Sequence, residues 1–399
     1  MKTERITENL AAAAGILQRG GLVAVPTETV YGLAGNGLDE QAVEKIYEVK
    51  GRPEIKPLSL MVPDSAAMER YCRDVPAAAK TLAERFWPGP LTIVLPSRDL
   101  VPSIVRAGGE TLGLRCPDHP LTLELLRLSG LPFAAPSANP SGAPSPKTAG
   151  QVLEYFDGRI DAVVDGGECG LGVESTILDM SRTPYRILRQ GALPAVEIED
   201  ALVDAMTLVG ITGGTGCGKT TALQELEKRG ALILDGDAIY HELLSGGGAL
   251  LRELEERFPG TVEDGQLVRP KLAEIVFHDE QALADLNRIS HFHVKQTMRQ
   301  RLRQHAMNGG TLAAIDVIEL ISSGVAAECD FTVGVIAETE TRIRRIMARD
   351  GISRDYAEMR VKAQRPNSYF EEHCTHTIRN DGDRETFAQA FNSILEEHL

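Results

Sequence analysis

A glycine-rich segment in the middle of the chain has the composition of a phosphate-binding loop. Residues 213–220 read GGTGCGKT and satisfy the pattern GxxxxGK[ST]. The glycines let backbone N–H groups face phosphate oxygens, while Lys219 supplies a cation and Thr220 a hydroxyl for Mg²⁺. An apolar run, Thr207–Thr212, precedes the loop, and a helical pattern, 221–229, follows it. The segment therefore predicts nucleotide binding at a strand-to-helix turn whose helix N-terminus points at the phosphates.

A set of arginines later in the chain recurs at helical spacing. Arg342, Arg345 and Arg349 lie at i, i+3 and i+7 and share one helix face after the predicted strand Phe331–Ile336. The planar guanidinium group matches the geometry of phosphate oxygens better than a lysine ammonium does. For Arg342 and the neighbouring Arg344, an ordinary solvated basic face is an equally open interpretation.

The first half of the chain places hydroxyls and cations at the ends of predicted elements. Residues 26–33, PTETVYGL, follow a predicted strand, and residues 50–53, KGRP, lie at the C-terminal end of a predicted helix. Two cations spaced by one residue beside a glycine suit a triphosphate. A K-x-R pair at a helix end is, however, also typical of an exposed pair that offsets the helix dipole.

These segments lie in an alternation of short apolar runs and helical patterns, which is typical of α/β proteins. For the first half we predict strands at 22–25, 91–95, 112–114 and 162–164. We predict helices at 39–49 and 77–86. The pattern predicts a mixed α/β domain with a twisted sheet. An acidic stretch at 198–202, predicted as a short helix or tether, leads into the second half.

The length of 399 residues exceeds what one hydrophobic core usually serves, so we predict two domains, at 1–203 and 204–399. With 43% hydrophobic residues and no apolar run of about 20, the composition predicts no membrane span. The first ten residues, MKTERITENL, lack the apolar core of a signal peptide, and we expect a cytoplasmic protein.

Cysteine spacing and net charge argue against a structural metal site and against a large nucleic-acid-binding surface. The six cysteines are scattered without a C-x-x-C pair, which favours reduced thiols, and we expect no structural metal. The formal net charge of -15 argues against strong direct binding of nucleic acid. The negative net charge does not exclude nucleotide-sized ligands, because local loops and single basic residues bind such ligands.

Residues from about 6 to 197 resemble the YrdC-like threonylcarbamoyl-adenylate synthase family over nearly their whole extent. The matching stretches, in the family's order, are PTETVYGL (26–33), KGRP (50–53), FWPGPLT (86–92), RCP (115–117), PSANPSG (136–142), ESTI (174–177) and LRQG (188–191). The resemblance implies condensation of L-threonine, bicarbonate and ATP into threonylcarbamoyl-AMP and pyrophosphate. A downstream tRNA-modifying transferase complex would consume this product.

Carried over residue by residue, this resemblance implies two ligand sets. The residues expected to hold ATP are Lys50, Arg52, Ser137, Asn139 and Arg189. The residues expected to hold threonine are Thr29, Arg115 and Ser175. No side chain stands out as a covalent nucleophile, so we expect catalysis by positioning and charge neutralisation.

Residues from about 206 to 399 resemble dephospho-coenzyme A kinase, which implies a P-loop kinase with a parallel sheet flanked by helices. The matching stretches are GITGGTGCGKT (210–220), LDGD (234–237), HE (241–242), HFHV (291–294), the arginine segment 342–349 and NDG (380–382). The implied reaction is transfer of phosphate from ATP to the ribose 3'-hydroxyl of dephospho-coenzyme A, with Mg²⁺.

The kinase resemblance also implies residue roles. Asp237 would take the proton of the acceptor hydroxyl, Lys219 would neutralise phosphate charge, and Arg345 and Arg349 would belong to a lid over ATP. The expected ATP-binding set is Gly213, Gly214, Thr215, Gly216, Cys217, Gly218, Lys219, Thr220, Thr221, Asn380 and Gly382, with Thr220 also serving the metal.

The sequence departs from the kinase family at two positions that concern the acceptor. Phe292 replaces a proline, and Ser322 stands where a glutamate is expected. A different P-loop small-molecule kinase is therefore the alternative for the second half. For the first half, the alternative is a double-stranded RNA-binding module, against which the acidic total argues.

Overall fold

The computed structural model describes residues 2–53, 56–317 and 319–399. The chain forms two compact units: unit 1 comprises Met1–Ala205 with Met307–Gly309, and unit 2 comprises Met206–Ala306 with Gly310–Leu399. Within the residues that the model describes, no helix is long and apolar enough to cross a membrane.

Unit 1 alternates strands and helices along the chain. In the described part its strands are β1 Glu4–Ile6, β2 Val23–Val25, β3 Gly32–Asn36, β4 Ser59–Met61, β5 Leu91–Pro96, β6 Thr111–Arg115, β7 Phe133–Ala134, β8 Ala162–Val164, β9 Thr176–Asp179 and β10 Arg186–Arg189. Its helices are α1 Leu10–Gln18, α2 Glu40–Lys50, α3 Ala67–Tyr71, α4 Ala77–Phe86, α5 Pro120–Ser129, α6 Ala149–Phe156 and α7 Ala195–Asp204.

The strands of unit 1 that the model describes form a ten-stranded sheet in the order β1-β8-β2-β3-β7-β4-β6-β5-β9-β10. Pairings such as β2 with β3 and β5 with β6 are antiparallel, whereas β4 with β6 and β5 with β9 are parallel. Because distant segments become neighbours, the ends of strands remote in sequence meet at one place. The mixed sheet predicted from the sequence is confirmed.

Local signals explain the helix boundaries in unit 1. The Asp39 side chain accepts a hydrogen bond from the Gln41 backbone N–H, which caps the start of α2. Gly51, with φ 57°, ends the same helix in the left-handed conformation that glycine tolerates. Helix α4 buries Ala79, Leu82 and Ala83 at the i, i+3, i+4 spacing of an amphipathic helix.

Unit 2 has a parallel core. Its strands in the described part are β11 Thr207–Thr212, β12 Leu232–Asp235, β13 Val262–Glu263, β14 Gln266–Leu267, β15 Leu312–Asp316, β16 Phe331–Ile336 and β17 His376–Arg379. Its helices are α8 Lys219–Lys228, α9 Gly236–Ser245, α10 Ala249–Arg257, α11 Arg269–Val276, α12 Glu280–Met307, α13 Thr339–Asp350, α14 Arg354–Lys362, α15 Asn367–His373 and α16 Arg384–Glu396, with a short 3₁₀ helix at Val325–Glu328.

The main sheet of unit 2 is parallel, with the order β12-β15-β11-β16-β17 in the described residues. Its central strands are buried and apolar on both faces, as helices on both sides of a parallel sheet require. The core includes Val209 and Ile211 from β11, Phe331 and Val333 from β16, and Phe391 from α16. The parallel sheet flanked by helices that the sequence predicts is confirmed.

Candidate active sites

A polar cavity of about 160 Å³ lies where several strand ends of unit 1 meet. Its lining includes most of the residues that the sequence assigned to ligands, namely Thr29, Arg52, Arg115, Ser137, Ser175 and Arg189. These residues come from six separate segments of the chain, which the ten-stranded sheet brings together. We call this space the unit 1 cavity.

Arg115, at the end of β6, is buried and already bonded in the unit 1 cavity. Its Nη2 donates to Glu28 Oε1 at 2.7 Å and to Thr29 Oγ1 at 2.9 Å, and its Nε donates to Gly89 O at 3.2 Å. Glu28 Oε2 in turn accepts from the Asp118 backbone N–H at 3.0 Å. The guanidinium is thus fixed in orientation by Glu28, a residue in the PTETVYGL stretch for which the motifs predict no role.

Hydroxyls in the lining of the unit 1 cavity form a second network. Ser175 Oγ lies 2.8 Å from Thr92 Oγ1, and Arg189 Nη2 donates to Ser175 O at 2.7 Å. Partial burial lowers the pKa of Arg189, and the Glu174 carboxylate opposes that shift. Arg189 is consequently held against the loop that carries Ser175.

The charges in the unit 1 cavity are mainly positive. Arg52, Arg115 and Arg189 line it, and the positive charges of the first two contribute to the lowered pKa of Arg189. Arg52 Nε donates to Lys56 O at 3.3 Å, and Arg52 Nη2 donates to Pro57 O at 3.1 Å. The other N–H groups of the guanidinium remain for a ligand. Converging guanidinium groups in a small cavity suit phosphate and carboxylate oxygens.

Lys50 is buried, which contradicts the interpretation of K-x-R as an exposed pair. The residue is only 2% exposed, and its Nζ donates to the carbonyl oxygens of Ser137 and Asn139. Burial, with the Arg52 charge second, lowers the pKa of Lys50 to about 7. Lys50 is not among the described residues that line the cavity. Its hydrogen bonds instead hold the loop that carries Ser137.

Asn139 is also behind the wall of the unit 1 cavity. It is buried, and its Nδ2 donates to the carbonyl oxygens of Pro140 at 3.1 Å and Ala143 at 2.6 Å. Its Oδ1 is buried without a hydrogen-bond partner in the part of the chain that the model describes. An orphaned acceptor beside a ligand cavity is costly unless a ligand or water satisfies it.

In unit 2 the phosphate loop connects β11 to α8, as predicted. Gly213, Gly216 and Gly218 have φ values of 142°, 83° and 94°, conformations that favour glycine. A Cβ at Gly218 would lie 2.1 Å from Asn380 Nδ2, so a larger residue there would clash. Lys219 Nζ donates to Gly213 O at 3.1 Å, which folds the lysine over its own loop.

Arg342 is buried against the phosphate loop, which excludes a solvated face for it. Its Nε donates to Thr215 O at 3.0 Å, and its Nη2 donates to Gln364 Oε1 at 2.6 Å. The same Gln364 Oε1 accepts from the Thr215 backbone N–H at 2.8 Å. Gln364, which the sequence did not single out, therefore occupies an N–H group of the loop. Arg344, by contrast, is exposed.

The other predicted lid residues differ in position. Arg345 lies near the loop, with Nη1 at 3.4 Å from Cys217 O and Nη2 at 3.5 Å from Asn380 Oδ1. Arg349 is exposed and bonds the Asp350 carboxylate at 2.7 and 3.0 Å. The structure thus brings Arg345 and Asn380 to the phosphate loop, whereas Arg349 is bonded within its own helix.

Asp237 lies in a cavity of about 600 Å³, which we call the Asp237 cavity. The residue is exposed in the first turn of α9, whose N-cap is Asp235. The cavity lining is largely apolar and includes Tyr240, His291, Phe292 and Lys295. Phe292, the departure from the kinase family, is thus part of this wall.

A neighbouring cavity of about 580 Å³ contains the start of the phosphate loop and Lys219. Ser322, the other departure, lines it and donates a hydrogen bond to Glu319. Glu319 lines both this P-loop cavity and the Asp237 cavity. A carboxylate is therefore present three residues before the position where the family resemblance expects one.

Asp316 is a candidate residue that the sequence did not assign to the site. It ends β15 and pairs in register with Asp235 of β12 and Ile211 of β11. Burial raises the pKa of Asp316, while the nearby Lys219 lowers it and Asp235 and Asp237 raise it further. The carboxyl edge of the parallel sheet thus gathers carboxylates beside Lys219, as sites at such edges do.

Comparisons with known proteins agree with this geometry. A family model described as Telomere recombination (Sua5/YciO/YrdC) matches residues 15–191, and a model described as Dephospho-CoA kinase matches residues 207–386. The threonylcarbamoyl-AMP synthase of Pyrococcus abyssi is 48% identical over 200 residues, which are 50% of this chain and 59% of that protein. The chain therefore spans less than two thirds of the length of that relative.

Two further comparisons cover more of the similar protein. The threonylcarbamoyl-AMP synthase of Halorhodospira halophila is 38% identical over 167 residues, which are 42% of this chain and 87% of that protein. A solved structure of a double variant of Sua5 from P. abyssi has 31% identity and a TM-score of 0.50, and the match covers 80% of this chain and 92% of that chain. The two resemblances drawn from the motifs are confirmed.

Proposed function

The chain belongs to the Sua5/YciO/YrdC family through residues 15–191 and contains a dephospho-CoA kinase domain at residues 207–386, and from this premise we propose a bifunctional enzyme with one reaction in each unit. Unit 1 condenses L-threonine, bicarbonate and ATP into threonylcarbamoyl-AMP and pyrophosphate. Unit 2 transfers the γ-phosphate of ATP to the ribose 3'-hydroxyl of dephospho-coenzyme A. We place the enzyme in the cytoplasm.

The convergence of arginines in the unit 1 cavity is the observation that supports the first reaction. Arg115, oriented by Glu28, offers donors to the threonine carboxylate, and Arg52 and Arg189 offer charge to the phosphates of ATP. The threonine amine attacks the carbon of bicarbonate, and the C–OH bond of bicarbonate breaks as its hydroxyl leaves with an amine proton as water, which gives N-carboxy-threonine. The resulting carboxylate then displaces pyrophosphate from the α-phosphorus.

Charge neutralisation is the contribution of the protein to this displacement. Negative charge grows on the pyrophosphate as the bond to the α-phosphorus breaks, and fixed guanidinium groups in a confined cavity stabilise it. Lys50 supports this arrangement indirectly, because its Nζ donates to the carbonyls of the loop that presents Ser137. We propose that a tRNA-modifying transferase complex consumes the product.

For unit 2, the two adjoining cavities support phosphoryl transfer between a nucleotide and a second molecule. The P-loop cavity contains Lys219, and the Asp237 cavity presents a carboxylate on an apolar wall that suits a large, partly apolar acceptor. Asp237 accepts the proton of the acceptor hydroxyl, and Lys219 neutralises charge on the transferred phosphate.

The residues present also fit Mg²⁺, which prefers oxygen ligands and carries ATP into such sites. Thr220, exposed at the start of α8, and Asp316, at the carboxyl edge of the sheet, are the groups that would hold it. Bound there, it would neutralise negative charge on the β- and γ-phosphates.

Product analysis with the full-length protein tests both assignments. We expect pyrophosphate release that requires threonine and bicarbonate together, and threonylcarbamoyl-AMP as the product detected by mass. For unit 2, dephospho-coenzyme A is compared with nucleoside monophosphates and shikimate as acceptors. Transfer to one of these instead would establish the alternative kinase. Salt-sensitive binding of double-stranded RNA, without any threonine-dependent turnover, would establish an RNA-binding module in unit 1.

A further inference from the structure

A cluster of potential metal ligands lies at the C-terminal end of unit 2, away from the phosphate loop. Within the described part of the chain, His376, Glu397 and His398 form a group whose ligand atoms all lie within 4.8 Å of one another. His376 begins β17, the edge strand of the parallel sheet, and the other two residues follow α16. The edge strand and the end of the helix therefore bring their potential ligand atoms together at one place.

The two imidazoles already face each other through the atoms that bind metals. His376 Nε2 and His398 Nε2 are 2.8 Å apart, so one nitrogen donates the hydrogen and the other accepts it. The His398 ring stacks on Phe331, with centroids 4.0 Å apart and an interplanar angle of 12°. Its backbone N–H donates to Leu395 O at 3.1 Å, which holds the terminal turn.

We propose that His376, Glu397 and His398 bind a divalent transition-metal ion of the zinc type. In tetrahedral coordination, imidazole nitrogens lie about 2.0–2.1 Å from Zn²⁺ and hence about 3.4 Å from each other. The observed pair, 2.8 Å apart, would need to separate by about 0.6 Å to reach this distance. Two histidines and one carboxylate leave a fourth position for water.

The chemistry of this ligand set separates it from the Mg²⁺ that accompanies ATP. Mg²⁺ requires oxygen ligands in octahedral geometry, whereas imidazole selects zinc, cobalt, nickel or copper. Strand β17 runs from His376 to Arg379 and leads to Asn380 at the phosphate loop, a span of about 13 Å at the rise of an extended strand. The proposed ion therefore does not contact the nucleotide.

Binding would tie the end of α16 to the edge strand of the sheet. Because the ligands come together only in the folded unit, the ion stabilises unit 2 against unfolding. The expectation of no structural metal was based on cysteine spacing, and that signal does not report a site made of histidines and a carboxylate distant in sequence.

The test is a calorimetric titration of the metal-free, nucleotide-free full-length protein with Zn²⁺ or Co²⁺. His398→Phe keeps an aromatic ring against Phe331 and removes the ligand nitrogen. The matched control is His373→Phe, because His373 also stacks on an aromatic ring, that of Tyr369 at 4.5 Å, but lies outside the cluster. We expect His398→Phe to bind the ion at least about tenfold more weakly, since loss of even an outer partner of a metal ligand has that effect.

The control variant should retain wild-type affinity and the same rise in the unfolding temperature of unit 2 on addition of Zn²⁺. Glu397→Gln, an exposed substitution, should also weaken binding and provides a second variant if His398→Phe folds poorly. Identical isotherms for the wild type and both ligand variants would overturn the proposal. Displacement of Zn²⁺ by equimolar Mg²⁺ would overturn it as well, because it would show a site without preference for imidazole-binding metals.

Discussion

The candidate sites of the two units offer phosphate different kinds of hydrogen-bond donor. Unit 1 offers side chains: the guanidinium groups of Arg52 and Arg189, proposed for the phosphates, converge from distant segments on a small cavity that also holds Arg115, proposed for the threonine carboxylate. Unit 2 uses the backbone of one contiguous loop, Gly213 to Thr220, and adds Lys219. A loop contiguous in sequence can be located from its letters, whereas a converging set depends on the strand order of the whole sheet.

The two sites also differ in how their cations are held before a ligand binds. In unit 1, Arg115 is paired with Glu28, and Lys50 is bonded to the carbonyls of the Ser137 loop. In unit 2, Lys219 folds onto Gly213 O, and Gln364 occupies the Thr215 N–H. In unit 1 a carboxylate therefore orients Arg115, whereas in unit 2 Lys219 and the Thr215 N–H are bonded to uncharged oxygen atoms that ATP would have to displace.

The largest expected effect is the loss of kinase turnover when Lys219, the lysine of the phosphate loop, is replaced. Lys219→Ala should lower kinase turnover by about 10³-fold or more, because loss of a cation on the transferred phosphate has effects of that size. Threonine-dependent pyrophosphate release by the same preparation should stay at the wild-type rate. Loss of both activities would show that the two reactions share a site.

A smaller loss is expected for the proposed base of unit 2. Asp237→Asn should lower kinase turnover by at least about 10²-fold, the usual contribution of a positioned base. Binding of ATP, followed by calorimetry, should be unchanged because Asp237 lies in the other cavity. Unchanged turnover would remove Asp237 from its role, and Asp316 would be the next candidate.

The arginines of unit 1 can be tested against a matched arginine on the same strand. Arg189→Met should raise the KM for ATP in pyrophosphate release roughly tenfold, as expected for loss of a charge-assisted hydrogen bond at the lower end of its usual range, about 1.5 kcal/mol. Arg186, on β10 and exposed like Arg189 but outside the described cavity lining, is the control. Equal effects of Arg189→Met and Arg186→Met would contradict a specific phosphate contact.

The smallest effect concerns stability and pH in unit 1. Burial lowers the pKa of Lys50 from its ordinary 10.5 to about 7, so between these values the unfolded chain carries a proton that the folded unit lacks. The free energy of unfolding should therefore rise with pH over this window, by at most about 1.4 kcal/mol per pH unit, and Lys50→Met should lose that contribution.

Urea unfolding followed by Trp87 fluorescence measures this slope, because the single tryptophan lies in unit 1. Lys45→Met, an exposed change on the same helix, is the control and should keep the wild-type slope. If the free energy of unfolding changes with pH equally in Lys50→Met and in the wild type between pH 7 and 10, then burial does not lower the pKa of Lys50 in the folded protein.

Much of the fold could be predicted from local patterns. Helix Ala77–Phe86 and strand Phe331–Ile336 have the predicted bounds, because amphipathic spacing and a short apolar run are signals contained within one segment. The phosphate loop was likewise found from contiguous letters. The strand order of the ten-stranded sheet carries no such local signal.

The parts of the sites that escaped prediction depend on distant partners. Lys50 is buried because carbonyls 87 and 89 positions away cover its ammonium, and no feature of KGRP encodes that. Arg342 could be assigned to the buried side only once its bonds to Thr215 and Gln364 were seen. Glu28 stood within a recognised stretch, but its pairing with Arg115 is a tertiary contact.

The central claim is that each unit holds a complete and separate active site, and separate expression of residues 1–203 and 204–399 tests it most directly. Each piece would be assayed for threonine- and bicarbonate-dependent pyrophosphate release and for phosphorylation of dephospho-coenzyme A. We predict that the first piece performs only the former reaction and the second only the latter, each at a rate near that of the full chain. A folded piece that is inactive alone and regains activity when mixed with the other would contradict the claim, because its site would then need residues from both units.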